Sequence, residues 1–388
     1  MTSKTGGGHV SLAEALRDMI EEDDGNEGDV GDREGARLPR GRITIVDPQP
    51  VFFHAHYRLV SRYALWLWAG EFQFLDAPGR ARIAHSGFTR LVRRQLHRLL
   101  DEVRPDLILT TYPFLSYEVM RVLERWVSRI PLVMLFSDAN GVHAAWLSER
   151  GAAATFAPTR ETYEQALAAG FAPERLHLVG WPVRAQFAHA AGLSREQHAE
   201  ILINLNLEPE RFTVFLQGGG EGAARFGRTI ENVLASGANG IAGPVGGTGG
   251  DVQVILATGT NRALLERYRQ MPNLAPLPFT KEIAPFMAAA DVVMGKAGPN
   301  MLFESMTLGK PFIATAYIPG QEQANLPFIQ RHGLGWVALQ PAGQRELLST
   351  LVHNPDQLQA MLASVRAYRQ WNSAANQCIL PLLRSLLT

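Results

Sequence analysis

Two series of short apolar segments run along this chain, and a helical pattern separates each segment from the next. The first series contains DLILTTY, PLVMLFSD, ATFAPT and LHLVGWP. The second series contains RFTVFLQ, VQVILATG, LAPLPF, ADVVMG, KPFIATA and GWVAL. Strands that alternate with helices are typical of a parallel sheet covered by helices on both faces. The chain is therefore predicted to be an α/β protein with two Rossmann-like, doubly wound domains that face a cleft.

The length of 388 residues also favours two domains, because one hydrophobic core seldom grows to that size. We predict an N-terminal domain over 1–187, which ends at the hinge-like segment GWPVRAQF, and a C-terminal domain over 188–365. The helical residues 366–388 are expected to pack back toward the N-terminal domain. The acidic, glycine-rich stretch 21–41 is predicted to be a solvated linker, and the glycine-rich stretch 236–250 a surface loop.

Charge and cysteine content exclude several classes of protein. Basic and acidic residues balance to a net charge of zero, so the composition does not favour nucleic acid as a partner. The one cysteine, Cys378, rules out a disulfide within the chain and fits a reducing cytoplasm. His54 and His56 have no evident third ligand, and we predict no metal site. The sequence also contains no apolar run of about 18 residues, the length that a membrane-spanning helix needs.

The stretch 51–131 is rich in arginine and aromatic residues, with 12 Arg against 7 acidic residues. A helical wheel places Leu59 and Trp66 on one face and Trp68 on the opposite face. One interpretation is a helix buried in the core. The other is an aromatic and cationic patch that meets a membrane interface or lines an apolar acceptor cleft.

The segment LQGGGEGAA follows a strand and opens a helix, which is typical of a phosphate site. Gly218, Gly220 and Ala223 fit the dinucleotide pattern G-x-G-x-x-A. That pattern also needs an acidic residue at the end of the next strand, where this chain has Thr258 and Gly259. A phosphate bound by backbone amides therefore remains, without the dinucleotide. The segment LGKP is not a P-loop, and no G-x-S-x-G of a serine hydrolase occurs.

Polar residues follow the later strands in an ordered series. The strand ADVVMG leads into the turn KAGPN, and Glu304 lies on the helix after it. A carboxylate in that position can accept both hydroxyls of a ribose, while free amides at the helix start bind a diphosphate. The alternative for Glu304 is a favourable charge near a helix N-terminus. The segment GQEQAN then presents side chains suited to sugar hydroxyls.

These residues resemble a known family. The stretch 290–335 resembles the donor-site signature of GT-B glycosyltransferases related to monogalactosyldiacylglycerol synthase and bacterial diacylglycerol glucosyltransferases. It is more distantly similar to the N-acetylglucosaminyltransferase that completes lipid II. The opening SKTGGGHVSLAEAL, the stretch FSDANGVHAAWLSERGAAATFAPT and the hinge VGWPVRAQF resemble other parts of the same family. The resemblance covers nearly the whole chain apart from the two glycine-rich stretches.

The resemblance implies a site for a UDP-sugar, which is the donor substrate. Glu304 would hold the ribose, and Phe279 and Thr280 would meet the uracil. The remaining donor-site residues would be Gly219 and Gly220 against the phosphates, Lys296, Gly298, Pro299 and Asn300 in the turn around the nucleotide, Thr258, Gly259 and Asn261 along the pocket, and Gln321, Glu322 and Asn325 at the donor sugar.

The resemblance also implies an inverting reaction without a cofactor or metal. His9 would be the general base that takes the proton of an acceptor hydroxyl, and Asp138 and His143 would flank the acceptor. The apolar strand that precedes the glycine turn in the family is represented here only by Met1–Ser3, followed later by a predicted strand at 43–46. We expect further apolar residues to belong upstream of Met1.

The expected function is transfer of a hexose from a UDP-sugar to a lipid hydroxyl such as that of diacylglycerol. The enzyme is expected to be cytoplasmic and peripheral at an anionic membrane surface on the inner face. The alternatives are transfer of N-acetylglucosamine to a polyprenyl-linked acceptor, a non-catalytic nucleotide-sugar binding protein, and a sugar-nucleotide epimerase.

Overall fold

Two compact units make up the structure, a computed structural model that describes residues 1–4, 7–25, 42–126, 128–217, 227–234 and 252–387. Unit 1 comprises Met1–Ala185, Pro319–Ala324 and Trp371–Thr388, and unit 2 comprises Gln186–Ile318 and Asn325–Gln370. Unit 1 thus includes a short segment, Pro319–Ala324, that falls inside the predicted C-terminal domain. The predicted loop at 236–250 and most of the predicted linker at 21–41 lie outside the described residues.

Unit 1 is built on a four-stranded parallel sheet. Its helices are α1 (Gly8–Gly25), α2 (Val51–Tyr63), α3 (Leu65–Leu75), α4 (Pro78–Val103), α5 (Pro113–Arg125) and α6 (Arg160–Ala168), and its strands are β1 (Ile108–Thr110), β2 (Leu132–Leu135), β3 (Ala154–Ala157) and β4 (Leu176–Leu178). The strands follow the order β1-β2-β3-β4. Every residue of β2 and β3 is buried, as expected for central strands of a parallel sheet that is covered on both faces.

The first residues of the chain lie beside β1. The Thr111 amide donates to the Met1 carbonyl at 3.1 Å, and the Thr2 amide donates to the Val46 carbonyl at 2.9 Å. The predicted strand at 43–46 is wrong, because residues 42–48 join no ladder although Val46 accepts this hydrogen bond. Gly7 turns the chain into α1 with a φ of +75°, a conformation that glycine adopts without steric cost.

The arginine- and aromatic-rich stretch forms two short helices followed by one long helix. The chain breaks between α2 and α3 at Ala64, whose φ of −138° and ψ of 53° are not helical. Leu59 and Trp66 therefore belong to different helices, and both are exposed, with 78% of the Trp66 surface accessible. For these two side chains the core-helix interpretation is wrong.

Unit 2 contains a six-stranded parallel sheet. Its strands are β5 (Phe212–Gln217), β6 (Val252–Gly259), β7 (Leu274–Pro278), β8 (Val292–Lys296), β9 (Phe312–Ala316) and β10 (Gly335–Val337). The helices in this part of the chain are α7 (Ala185–Ala190), α8 (Arg195–Asn204), α9 (Gly227–Leu234), α10 (Arg262–Tyr268), α11 (Ala284–Ala288), α12 (Pro299–Thr307), α13 (Asn325–Arg331) and α14 (Pro341–His353). The chain ends with α15 (Pro355–Asn376) and α16 (Ile379–Ser385).

The strand order in unit 2 is β10-β9-β8-β5-β6-β7. The chain therefore begins this sheet in the middle, adds β6 and β7 on one side, and then returns to add β8, β9 and β10 on the other. The order reverses between β5 and β8, and ligands of such sheets bind outside the carboxyl ends of the strands at that point. The α/β prediction is confirmed, and the topology marks where the site of unit 2 should lie.

The last helices are tied to unit 1 by a polar side chain. The amide of Asn372 accepts from the Trp181 backbone N–H at 2.7 Å and donates to the Trp181 carbonyl at 3.0 Å. Gly180, with a φ of +73°, lies so close to Asn372 that a Cβ there would approach its carbonyl to 2.8 Å. None of the described helices combines the length and the hydropathy that a membrane-spanning segment requires.

Candidate active site

The central loops of unit 2 leave the sheet from neighbouring strands at the switch point. Gln217, the last residue of β5, pairs with Gly295 of β8, so both strands end at the same edge. A Cβ on Gly295 would lie 2.2 Å from the Gln217 carbonyl oxygen, and only glycine fits there. Gly219 and Gly220 directly follow β5 in the sequence but lie outside the described residues.

The turn after β8 presents the start of α12 to this edge. The Ala297 amide donates to the Ala316 carbonyl at 2.8 Å, which fixes the turn against β9. Gly298 is the N-cap residue and Pro299 the first residue of the helix. Because the N-cap is glycine, it supplies no side-chain cap to the first helical turn. The exposed amide groups and the positive end of the helix dipole favour an anion at this position.

Glu304 lies on the second turn of α12 and is largely buried, with 8% of its surface exposed. The stabilisation of a carboxylate by a helix dipole fades beyond the first turn. The dipole therefore explains little of why an acidic side chain lies in this place. A carboxylate at this place can accept from donors of the protein and also from a bound molecule, and the paired hydroxyls of a ribose are donors of the right kind.

The loops after β6 and β7 contain the next predicted residues. The Thr258 hydroxyl donates to the Leu277 carbonyl at 2.7 Å, and Gly259 turns the chain with a φ of +57°. The side chain of Asn261 caps α10 by accepting from the Leu264 amide at 3.0 Å, so this side chain already has a structural partner. Phe279 and Thr280 follow β7 directly, and the Phe279 ring is exposed.

The three predicted sugar ligands are divided between the two units. Asn325 belongs to unit 2, where its amide donates to the Ala297 carbonyl at 2.8 Å and so supports the turn before α12. Gln321 and Glu322 belong to unit 1. Gln321 accepts a hydrogen bond from the indole N–H of Trp68 at 3.2 Å, and Glu322 is buried. Of these three residues, only Asn325 belongs to the same compact unit as the α12 turn, and it contacts that turn.

His9 lies in the first turn of α1 in unit 1. Its Nδ1 is 2.8 Å from the Thr111 carbonyl oxygen, which can only accept, so neutral His9 carries its hydrogen on Nδ1. The lone pair is then on Nε2, the tautomer that a general base requires. Burial lowers the pKa of His9 to about 4. The ring also meets Tyr112 edge to face at 5.0 Å. His9 therefore bonds to the strand edge rather than capping its own helix.

Asp138 and His143 lie together in the loop that follows β2. An Asp138 carboxylate oxygen accepts from the His143 backbone N–H at 3.2 Å. Burial above all, together with the nearby Asp76 carboxylate, raises the pKa of Asp138 to about 7. Asp76 itself accepts from the Ala144 amide at 2.8 Å. The loop is thus held by two carboxylates, one at each of two successive amides.

The imidazole of His143 is fixed in one tautomer. The Ala145 amide donates to Nδ1 of His143 at 3.1 Å, so this nitrogen carries no hydrogen. The other nitrogen, Nε2, therefore bears the hydrogen and donates to the Phe72 carbonyl over a long 3.4 Å. Burial lowers the pKa of His143, which keeps the ring neutral. In this state His143 offers a hydrogen-bond donor rather than a base.

Two family models match the chain. The model of the glycosyltransferase family 28 C-terminal domain matches residues 213–369, and the model of monogalactosyldiacylglycerol synthase matches residues 48–183. Monogalactosyldiacylglycerol synthase 3 of Arabidopsis thaliana is 25% identical over 382 residues, which cover 93% of this chain and 75% of that protein. This chain is a GT-B glycosyltransferase that resembles the monogalactosyldiacylglycerol synthases. The resemblance and the enzyme class predicted from the sequence are confirmed.

Solved structures agree with the fold of this glycosyltransferase. The Anabaena protein HepE in complex with UDP and glucose matches with a TM-score of 0.52 and 16% identity, over 75% of this chain and 82% of that one. The UDP-GlcNAc 2-epimerase of Neisseria meningitidis bound to UDP-GlcNAc matches with a TM-score of 0.55 and 12% identity, over 77% and 82%. The predicted fold class is confirmed.

Sequence reasoning missed two residues of the glycosyltransferase beside the 138–145 loop. His85 of α4 and Glu118 of α5 are completely buried, and the imidazole Nδ1 lies 2.9 Å from a Glu118 carboxyl oxygen. The other nitrogen of His85 donates to the Ala145 carbonyl at 3.2 Å. A histidine and an acid at core positions of amphipathic helices were the available signal, because such residues are seldom buried without a partner.

No cluster that could hold a metal ion is found among the described residues of the glycosyltransferase. In unit 2 the residues brought together are the α12 turn, Glu304 and Asn325. In unit 1 they are the 138–145 loop, which includes Asp138 and His143, and the side chains of Asp76 and His85 that bond to it. His9 lies on α1 at the end of β1. The chemistry that each group can perform follows from these separate arrangements.

Proposed function

We propose that this glycosyltransferase moves a hexose from a UDP-sugar to the hydroxyl of a lipid such as diacylglycerol, with inversion at the anomeric carbon. One observation carries the proposal: the switch point of unit 2 combines a helix start free of a capping side chain with the buried carboxylate of Glu304. A nucleoside diphosphate needs both features, one for its phosphates and one for its ribose.

The donor is assigned residue by residue. Glu304 accepts the ribose hydroxyls, the amides that open α12 meet the diphosphate, and Phe279 and Thr280 meet the uracil after β7. Gly219, Gly220 and Lys296 complete the phosphate site, Thr258 and Gly259 shape the pocket wall, and Gln321, Glu322 and Asn325 bind the sugar. Two similar solved structures hold UDP or UDP-GlcNAc, which supports a uridine nucleotide as the donor.

The acceptor hydroxyl is activated by His9. Its Nδ1–H is held by Thr111, so the Nε2 lone pair can take the hydroxyl proton. A pKa of about 4 keeps the ring neutral and ready at neutral pH, yet makes it a weak base. The proton therefore moves late, as the acceptor oxygen bonds to the anomeric carbon and the hydroxyl becomes acidic.

The leaving UDP gains negative charge as its bond to the sugar breaks. Amides at the start of α12 and the positive end of its dipole stabilise that charge without reorganisation during the reaction. Lys296 at the end of β8 is the nearest lysine along the chain to this turn. The proposal includes no cofactor, because residues of the chain supply both the base and the groups that stabilise the leaving UDP.

The lipid acceptor is supported by the surface of α2, α3 and α4. Large apolar side chains are exposed there, and we call them the aromatic surface: Phe52, Leu59, Trp66, Leu67, Phe74, Ile83 and Leu91. The three helices follow one another and pack in sequence, α2 on α3 and α3 on α4. A monomeric soluble protein rarely exposes so many large apolar groups on neighbouring elements, and such patches mark interaction surfaces.

Positive charge accompanies the aromatic surface. Helix α4 carries the exposed arginines Arg80, Arg90, Arg93, Arg94 and Arg98, and no acidic residue precedes Asp101 in this helix. The Arg80 guanidinium lies 4.7 Å from the Phe74 ring centroid. Aromatic and aliphatic groups that enter the interface, together with arginines that meet phosphate head groups, are typical of peripheral binding to an anionic bilayer.

A vesicle-binding experiment tests the membrane part of the proposal. Replacing Trp66 and Ile83 by serine should weaken binding to anionic vesicles about tenfold or more, because each side chain no longer buries apolar surface in lipid. The control is Ile203→Ser in α8 of unit 2, an exposed apolar residue that does not belong to the aromatic surface. Equal loss in both variants, or no loss in the first, contradicts this assignment.

A donor and acceptor screen tests the reaction. UDP release should depend on added diacylglycerol vesicles and on one of UDP-galactose, UDP-glucose or UDP-N-acetylglucosamine. Release that needs a polyprenyl-linked acceptor instead identifies the N-acetylglucosaminyltransferase alternative. Isomerised UDP-sugar without any acceptor identifies an epimerase, and binding without turnover on any acceptor identifies a non-catalytic protein. Each of these three outcomes rejects transfer to diacylglycerol.

A further inference from the structure

The buried pair of His85 and Glu118 in unit 1 takes no part in the proposed reaction, yet hydrogen bonds through Ala145 link it to His143, which the family resemblance places beside the acceptor. His85 lies on α4 and Glu118 on α5, and both side chains are inaccessible to solvent. The His85 ring packs 5.2 Å from Phe114 and 5.0 Å from Tyr117, in aromatic surroundings. Burying two polar groups there costs free energy that ordinary core residues would not.

The pair is connected to the 138–145 loop because Glu118 bonds to one nitrogen of His85 and the other nitrogen bonds to Ala145. Nε2 of His85 donates to the Ala145 carbonyl in either protonation state of the pair, because a carbonyl can only accept. Burial raises the pKa of Glu118, which favours a neutral pair in which the carboxyl O–H donates to Nδ1 of His85. Both forms hold the Ala145 carbonyl, which lies in the peptide to Trp146, and so restrict the backbone torsions of Ala145.

The opposite side of the same residue holds His143. The Ala145 amide donates to Nδ1 of His143, and this assigns the hydrogen of the neutral ring to Nε2. The Nε2–H then reaches the Phe72 carbonyl at 3.4 Å, a weak hydrogen bond that an oxygen of a bound molecule can replace. The Phe72 ring, 4.5 Å from the imidazole, gives this position an apolar neighbour.

We propose that His85 and Glu118 are positioning residues that hold His143 in its Nε2–H tautomer, so that His143 donates a hydrogen bond to an oxygen of the lipid acceptor. The inference rests on the proposed function for the identity of the acceptor. The tautomer of His143 and its dependence on His85 are independent of the proposed function. The chain of contacts is Glu118 to His85, His85 to the Ala145 carbonyl, and the Ala145 amide to His143.

Other contacts hold the loop itself, so the pair can be altered without releasing it. Thr159 donates to the Ala139 carbonyl at 2.7 Å, and the Val142 amide donates to the Gln165 side chain at 3.0 Å. The Ala144 amide donates to Asp76. Loss of His85 should therefore change the backbone torsions at Ala145 and the orientation of one imidazole rather than unfold the loop.

The experiment measures the imidazole nitrogens of His143 in full-length protein with ¹⁵N-labelled histidine, assigned by comparison with His143→Gln. Wild-type protein should show the Nε2–H pattern, and His85→Phe should lose it. In the same His85→Phe protein the KM for the lipid acceptor should rise about tenfold, the usual effect of one positioned hydrogen bond. The KM for the UDP-sugar should not change.

Two variants of Glu118 distinguish a positioning role of this residue from a contribution to protein stability alone. Glu118→Gln keeps a donor for His85 and should retain the tautomer and an acceptor KM within about twofold. Glu118→Met lacks that donor and should behave like His85→Phe. Ser116→Ala is the matched control, because Ser116 is buried on the same helix but donates to the Pro113 carbonyl outside this chain of contacts.

The inference is overturned if wild-type His143 carries its hydrogen on Nδ1, a result that needs no variant. It is also overturned if His85→Phe or Glu118→Met folds with the wild-type tautomer and the wild-type acceptor KM. If His85→Phe does not fold, the contrast between the two Glu118 variants decides the question. A preserved tautomer effect without transfer to diacylglycerol rejects the proposed acceptor but supports the positioning role.

Discussion

The two units present their candidate site residues in different ways. In unit 2 they follow the ends of successive parallel strands, and the strand order brings the loops after β5 and β8 to one edge. In unit 1 the 138–145 loop is held by side chains from several helices that are far apart in sequence. Topology thus creates the first site, whereas buried hydrogen bonds between distant residues create the second.

This difference explains why the two sites differ in electrostatic character. The phosphate part of the unit 2 site relies on backbone amides and a helix dipole, whose partial charges do not titrate. The unit 1 site relies on groups whose pKa values burial has moved, with Asp138 raised to about 7 and His9 lowered to about 4. Changes in unit 1 should therefore affect chemistry and its pH dependence, and changes in unit 2 should affect nucleotide binding.

The largest expected effect separates the two functions. His9→Ala should lower kcat about 10²–10⁴-fold, because the acceptor hydroxyl loses its general base. The affinity for UDP, which unit 2 provides, should stay within about twofold of wild type in calorimetry. If transfer continues at the wild-type rate, another residue is the base, and the division of roles between the units is wrong.

A smaller effect tests whether the close approach of β5 and β8 at Gly295 is needed for stability and for UDP binding. Gly295→Ala places a Cβ 2.2 Å from the Gln217 carbonyl oxygen and should lower the free energy of unfolding by about 1–3 kcal/mol. It should also weaken UDP binding, because β5 and β8 must separate at the switch point. Thermal and urea unfolding measure the first effect, and calorimetry measures the second.

The matched control is another glycine of unit 2. Gly343 lies in α14, and a Cβ there would have no neighbour within 4 Å. Gly343→Ala should raise the free energy of unfolding by about 0.5–1 kcal/mol, the usual gain within a helix. Similar changes in both variants would show that the close approach of β5 and β8 does not constrain the site.

A third effect concerns the pH dependence of unit 1. The pKa of Asp138 is raised from 3.8 to about 7 in the folded protein, so the folded state binds this proton more tightly than the unfolded state. The contribution of Asp138 to stability is therefore present below the unfolded value and is lost as the pH rises through the folded value.

Asp138→Asn removes this dependence and keeps an oxygen that accepts from the His143 amide. Its stability relative to wild type should increase across the interval from 3.8 to about 7 and then level off. Urea unfolding at a series of pH values measures the difference. A difference that stays constant over this range contradicts the raised pKa.

The sequence was sufficient for the fold class, and the site residues that it indicates in unit 2 remain predictions. Alternating apolar segments predicted the parallel sheets, and polar residues after successive strands predicted Glu304 and the α12 turn. The sequence did not reveal that Gln321 and Glu322 belong to a different compact unit from Asn325, since the chain passes into unit 1 at Pro319 and returns at Asn325. Adjacency along a chain does not reveal which core a short segment joins.

Unit 1 was harder to predict for a physical reason. His85 and Glu118 are separated by 33 positions and belong to different helices, so no periodic pattern links them. The exposed positions of Leu59 and Trp66 depended on a break at Ala64 that carries no proline or glycine signal. Such features arise from tertiary packing, which overrides local preference.

The account rests on binding of a uridine nucleotide by unit 2 through Glu304, and calorimetric titration of UDP into full-length protein tests this most directly. Wild type should bind UDP with measurable heat, and Glu304→Gln should weaken binding at least about tenfold, because a charge-assisted hydrogen bond to the ribose is lost. The control Glu266→Gln, which alters an exposed acid of unit 2 paired with Arg269, should bind UDP like wild type. No heat with wild type, or equal affinity in wild type and Glu304→Gln, would contradict the account.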